Sequence, residues 1–226
     1  MAWTLWNLFL ATLPIPFGVV VARRLRQGSG TPSRRAGTVA LALVGLLLLP
    51  NAPYLLTEIR HFVLDAPFRD LTARAAHDPA ALRLSALWGA MFVGYGAVGL
   101  AAYVLAVRPV ERALVARGVA RAKFRLALTP TVALGVWLGL VPRLNSWDVL
   151  TRPGRVLRLA VHGLTHVPTL LSIVGFAVAL GALHAAADLV ADALERRARA
   201  LRAAPAGHRA SRSSASSAEP SSAQAS

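Results

Sequence analysis

The chain contains no cysteine, so it has no disulfide framework, no thiolate metal site and no cysteine nucleophile. Charge is also scarce. Charged residues are 15% of the chain against 55% apolar ones, and the acids are outnumbered, 10 against 25 basic residues. Lysine is all but missing, with Lys123 the single example. A soluble domain of this size would punctuate its apolar residues with charge at helix or strand period. Here several stretches of seventeen or more residues carry no charge at all. Short alternating segments of the outer-membrane barrel kind are absent too.

What is present is a series of long apolar blocks. Each is long enough to cross the roughly 30 Å hydrocarbon core as a helix, and a helix is the form in which a lipid-exposed backbone satisfies its own hydrogen bonds. The blocks predict an all-α, polytopic transmembrane helix bundle of about five spans, at 3–22, 37–57, 84–107, 126–142 and 160–182. The first block has no basic leader, carries Pro14 and Pro16, and is followed by its arginines. It therefore reads as a span and not as a cleaved signal. Segment 58–83 is too polar to span but mixes charge with Phe62, Val63, Leu64, Phe68 and Leu71, which suits an interfacial helix after the second span. From 203 to 226 the chain is rich in Ala, Ser, Pro and Arg, the composition of a disordered cytoplasmic tail.

The formal charge of +15 raises the question of nucleic acid. The arginines, however, lie between apolar blocks without interleaved aromatics, so they read as topology signals and contacts to anionic lipid. Loop 23–35 holds five arginines and no acid, and loop 108–125 holds six basic residues against Glu111. The positive-inside rule puts both on the cytoplasmic side, with the N-terminus outside and the C-terminus inside. The expected partners are the bilayer and other membrane proteins or further copies of the chain. No internal repeat supports an inverted-repeat transporter. Gly135 with Gly139 and Ala90 with Gly94 are small-residue pairs of the helix-packing kind.

Candidate chemistry clusters on the outer side of that topology. The second span is interrupted at Pro50-Asn51-Ala52-Pro53-Tyr54, where each proline disturbs the carbonyl four residues back, at Leu46 and Leu49. Asn51 can repair such a break, and both a packed kink and a ligand opening account for it. If the helix continues, Glu58, His61 and Asp65 share one face, in the manner of a metal site, an acid–base pair or an ordinary solvated ion pair. After the fourth span comes Arg143-Leu144-Asn145-Ser146-Trp147-Asp148, in which Trp147 suits the membrane interface. Asn145, Ser146 or Asp148 there can cap a helix turn or, with Arg143, meet Glu58 and His61 over the mouth of the bundle. His162 and His166 open the fifth span four residues apart, a pair that needs a further ligand, with His61 the candidate, to hold a metal.

Three of these segments resemble a bacterial membrane-protein family, domain of unknown function 1361. They are Trp6-Asn7-Leu8-Phe9-Leu10-Ala11, the run from Leu49 through Pro50-Asn51-Ala52-Pro53-Tyr54 to Glu58-Ile59-Arg60-His61-Phe62, and Arg143-Leu144-Asn145-Ser146-Trp147-Asp148-Val149-Leu150. The resemblance covers roughly the first two-thirds to four-fifths of the chain. It implies multi-span inner-membrane residence, an additional upstream apolar segment in other members, and no activity. Glu58 stands where the family motif carries aspartate. Three function classes remain in view: a protein with a ligand-binding polar cluster at Asn51, Tyr54, Glu58, His61, Arg143, Asn145 and Asp148; a membrane-embedded hydrolase or transferase acting on lipid or envelope material; and a small transporter or accessory subunit.

Overall fold

The computed structural model describes residues 2–28 and 30–203. It falls into two units, Met1–Asp188 and Leu189–Ser226. Every regular element among the described residues is a helix: α1 (Ala2–Thr12), α2 (Pro14–Arg26), α3 (Pro32–Leu48), α4 (Asn51–Thr57), α5 (Ile59–Leu64), α6 (Ala66–Arg74), α7 (Pro79–Val115), α8 (Arg121–Leu140), α9 (Asp148–Thr151), α10 (Pro153–Thr165) and α11 (Val167–Ala203). The residues expected to form a disordered tail, apart from Ala203, lie outside the described ones.

Among the described residues, four stretches are long and apolar enough to cross a membrane: Thr4–Arg26, Pro32–Leu64, Pro79–Val115 and Val167–Arg202. They carry the first, second, third and fifth expected spans. The fourth forms as α8, which is helical throughout but begins with Arg121, Lys123 and Arg125 in its first turns. The expected fifth span is displaced toward the C-terminus. His166 adopts an extended conformation (φ −86°, ψ 111°), ending α10, and α11 restarts with Pro168 in its first turn. Proline is at home there because a first-turn N–H has no intrahelical partner. His184 and Asp188, just beyond the expected span, therefore belong to the membrane-crossing helix.

The long helix α7 is the centre of the first unit. Its neighbours approach closely at some of the glycines. A β-carbon at Gly18 of α2 would stand 2.0 Å from the Ala106 carbonyl oxygen, and one at Gly99 would stand 2.4 Å from that of Ala52. Gly135 does the same for α8 against Pro50, at 2.4 Å. The expected pair Ala90 and Gly94 is different, since both face outward and nothing lies within 4 Å of a β-carbon at Gly94. The segment after the second span is helical as α5 and α6. It is tied to α7 by an aromatic cluster in which Phe68 meets Trp88 and Phe92 edge-on at centroid distances of 5.3 and 5.6 Å.

The second unit contributes residues Leu189–Ala203 to the described part, the end of α11, where Arg199 pairs with Glu195 one turn earlier at 3.7 Å.

Candidate functional site

The break in the second span is a tight turn that keeps the chain on a helical track. Leu49 and Pro50 are both in the right-handed helical region, and the Ala52 N–H reaches back to the Leu49 carbonyl at 3.1 Å. Asn51 repairs the interruption as expected, although at a different carbonyl. Its Nδ2 donates to the Leu48 oxygen at 2.8 Å and also to the Ser146 hydroxyl at 3.2 Å. One amide thus holds the turn closed and ties it to the segment after α8. Most of its donor capacity is spent on structure.

Downstream the chain delivers Glu58, His61 and Asp65 on one face. The Glu58 side chain is buried at 2% exposure, and among the described residues its Oε2 has no hydrogen-bond partner. His61 stands between the two carboxylates, with Nδ1 3.0 Å from Asp65 and Nε2 3.7 Å from Glu58. A carboxylate oxygen buried without a donor is costly, on the order of 1–3 kcal/mol. It is the group a ligand would be expected to satisfy.

The opposite wall is the segment after α8. That helix ends at Leu140, and the Leu144 N–H returns to the Leu138 carbonyl at 3.0 Å, closing the chain over the helix end. The closure requires Arg143 in the left-handed region, at φ 55°. A non-glycine residue there costs about 1–2 kcal/mol, a penalty that glycine would avoid. Beyond it, Asp148 caps in reverse: its carboxylate accepts the Asn145 N–H at 2.7 Å, while its own N–H donates to the Asn145 carbonyl at 2.9 Å. Asp148 is buried in this role and does not line the cavity described next.

Between the two walls lies a cavity of about 840 Å³, bordered by Asn51, Tyr54, Glu58, His61, Arg143 and Asn145, six of the seven expected ligand-binding residues. Asp65 and Arg60 border it as well, and Trp6 and Asn7 of the N-terminal motif close one side. Tyr54 and Tyr95 lie close enough to Glu58 to feel its charge. Among the described residues neither Arg60 nor Arg143 pairs with a carboxylate, so two guanidinium groups remain to receive an anion.

The cavity shares a wall with a second space. Asn51, Tyr54, Gly139, Leu144, Asn145 and Ser146 also border an apolar groove of about 620 Å³ between α3 and α8. Apart from Thr131, the remainder of its lining is apolar, including Leu43, Leu47, Leu134 and Leu138. A polar chamber thus adjoins an oily one.

The histidines do not assemble as expected. His162 and His166 stack on each other at 5.2 Å, but they sit at the end of α10 and at the break before α11, not on one face of a continuous span. Neither borders the cavity of His61. Among the described residues no group of three His, Asp or Glu side chains could hold a metal ion.

A second polar cluster escaped sequence reasoning. At the other end of the bundle Arg125 makes a two-pronged contact with Glu111, at 2.7 and 2.9 Å, and reaches Asp188 at 2.5 Å. Arg108 meets Asp188 at 3.0 Å, and Arg121 meets Glu111 at 3.1 Å. The hydrogen bonds that Arg125 donates to Glu111 raise its pKa above its already high value, so this arginine stays charged. Next to the cluster His184 packs edge-on against Tyr103 at 5.2 Å. The signal that might have revealed it was His184 and Asp188 at four-residue spacing inside an apolar run, because ionisable residues at membrane depth mark pairs or function. Its engaged carboxylates join α7, α8 and α11.

The two arginine-rich connections meet in space, with Arg117 donating to the Leu25 carbonyl. No curated protein and no solved structure matches the chain. The family model described as a protein of unknown function, DUF1361, matches residues 6–183, a stretch that includes every residue bordering the polar cavity, and the chain belongs to that family.

Proposed function

We propose that the protein binds a membrane amphiphile, with the polar head in the cavity beside Glu58 and the apolar chain in the groove along α3 and α8. The observation that carries this reading is the shared wall, since six residues border both spaces. The head-group chemistry follows from the lining. Arg60 and Arg143 offer donors to a phosphate or other anion. The Glu58 Oε2, which accepts no hydrogen bond among the described residues and has His61 at 3.7 Å, accepts from an ammonium or hydroxyl on the same head. A phosphate ester bearing an amine, of the phosphatidylethanolamine kind, satisfies all three groups at once.

The direct test is thermal unfolding of the detergent-purified chain with and without phosphatidylethanolamine. Wild type rises in melting temperature as binding draws on the folded state. Glu58→Gln, which keeps the shape but removes the charge, folds and loses most of the rise. An equal rise in the variant would place the lipid elsewhere.

The cavity is assigned to the extracytoplasmic face of a bacterial inner membrane, on the strength of the two arginine-rich connections meeting at the other end. Since the chain has no cysteine, Ser146→Cys can be labelled on a clean background. A membrane-impermeant thiol reagent applied to intact spheroplasts labels it under this assignment. Protection at this position, with labelling of Ser33→Cys in its place, reverses the orientation.

A second reading, a hydrolase or transferase acting on the bound head, is favoured by His61 standing between two carboxylates, the arrangement of an oriented general base. Release of the head group by wild type, abolished in His61→Ala, distinguishes catalysis from binding alone. The exposed Ala90 and Gly94 on α7 are the feature that an accessory subunit would offer to a partner helix.

A further inference from the structure

The N-terminal end of the stretch Pro32–Leu64, away from Glu58, carries a different concentration of charge. Arg24, Arg34, Arg35 and Arg117 border a cavity of about 240 Å³ that no acidic residue lines. Arg34 donates to the Gln27 side chain and Arg117 to the Leu25 carbonyl. These contacts aim the guanidinium groups without neutralising them. Arg24 lies over the start of α3, where a β-carbon at Gly37 would stand 3.2 Å from its Nη1. Among the described residues, none of the four pairs with a carboxylate.

The local electrostatics make this arrangement unfavourable unless an anion is present. The first turn of α3 holds no acid, while Arg34 and Arg35 lie at its start. A helix N-terminus already carries about half a positive charge, so two arginines there add repulsion to repulsion. Arg24 and Arg117 bring two more like charges to the same space. By contrast, the neighbouring arginines 108, 121 and 125 all engage Glu111 or Asp188.

The shape of the surroundings identifies the source of the anion. The arginine cavity shares Leu25, Thr38 and Val39 with an apolar groove of about 320 Å³. That groove runs between α2 and α3 past Phe17, Val21, Ala42 and Leu46. It lies along two stretches long and apolar enough to cross the bilayer, Thr4–Arg26 and Pro32–Leu64. A free phosphate would use the arginines and leave the groove empty, whereas a phospholipid fills both.

We infer that Arg24, Arg34, Arg35 and Arg117 hold the phosphate of an anionic phospholipid whose acyl chain lies in the groove between α2 and α3. This site is separate from the Glu58 cavity and stands whether or not that cavity binds lipid. It selects against zwitterionic heads, because no carboxylate is present to receive an ammonium group. A lipid seated there also relieves the repulsion at the start of α3 and pins α2 to α3.

Native mass spectrometry of the full chain in mild detergent tests the inference, with phosphatidylglycerol and phosphatidylcholine of matched acyl chains as probes. Phosphatidylglycerol is retained in preference to phosphatidylcholine. Arg34→Gln with Arg117→Gln weakens retention by about fivefold for each charge removed. Arg34→Lys with Arg117→Lys keeps the loop charge that sets orientation yet still loses retention, since an ammonium lacks the planar fork. Ala42→Trp fills the groove and expels the lipid while leaving the arginines intact. Equal retention of both lipids, or glutamine variants that retain phosphatidylglycerol like wild type, overturns the inference. So does Ala42→Trp behaving as wild type while inorganic phosphate competes the lipid away, which would make this a site for a free anion.

Discussion

Arg143 is the residue at which the local and functional accounts diverge most sharply. Its φ of 55° belongs to glycine by preference, so on backbone grounds alone the position is badly filled. Strained residues of this kind gather where a side chain is needed for a purpose, and Arg143 borders the polar cavity with no carboxylate partner among the described residues. Arg143→Gly should raise stability by up to about 1 kcal/mol, by removing the left-handed penalty, and should lose the phosphatidylethanolamine response. Chemical denaturation and the lipid-dependent melting shift read the two effects separately. A glycine variant that is no more stable and binds as well as wild type would mean that Arg143 is only a turn residue. Neighbouring side chains show how far the residue types alone could be read. Asn51 repairs the proline break, and Asp148 caps the turn at Asn145. Both roles follow from the chemistry of a short amide or carboxylate beside an interrupted backbone. The left-handed angle at Arg143 was invisible, because arginine is among the last residues that a turn rule would put there.

At the scale of elements, the apolar blocks mark the helices well and their ends poorly. The first three spans form where charge-free runs predict them, because the length and hydropathy of a membrane segment are additive along the chain. The fifth did not, for a local reason. His166 and Pro168 interrupt a run whose composition reads as continuous, so the helix restarts at Val167 and extends to Ala203. That shift separates His162 from the span and draws His184 and Asp188 into it. The amphipathic α10, left outside, packs Gly163 against the Trp137 ring, where a β-carbon would stand 2.9 Å from the indole. The small residues divide in the same way. Gly135 is a contact residue because Pro50 occupies the facing position, whereas Gly94 has nothing opposite it. A four-residue spacing names a possible packing face, but only the partner helix decides whether that face is used.

Over the whole molecule, polarity is concentrated at two ends that do different work. One end holds engaged charge, with Glu111, Asp188 and three arginines locking α7, α8 and α11 together. Removing one partner of such a buried set leaves an uncompensated ion, so the cluster reads as a fastener. At the other end, among the described residues, the Glu58 Oε2 accepts no hydrogen bond and Arg60 and Arg143 meet no carboxylate, around an open cavity. The convergence of the second and third motifs on one cavity was legible in the sequence, because both follow an apolar block at the same membrane face. The groove was not, since it arises from the space between two helices whose contact is set by Gly135 and Pro50.

The central claim, that one ligand occupies both chamber and groove, turns on Gly139, which borders each. A β-carbon there would meet only the Leu144 carbonyl, at an ordinary 3.7 Å, so a larger side chain fits without disturbing α8. The most direct measurement compares phosphatidylethanolamine with its water-soluble head, glycerophosphoethanolamine, on wild type and Gly139→Leu by thermal unfolding. The account predicts that the lipid stabilises wild type well beyond the soluble head, and that Gly139→Leu loses this difference while keeping the weaker response to the head. Equal stabilisation by lipid and soluble head in wild type, unaltered in Gly139→Leu, would contradict it and leave the groove unconnected to the site.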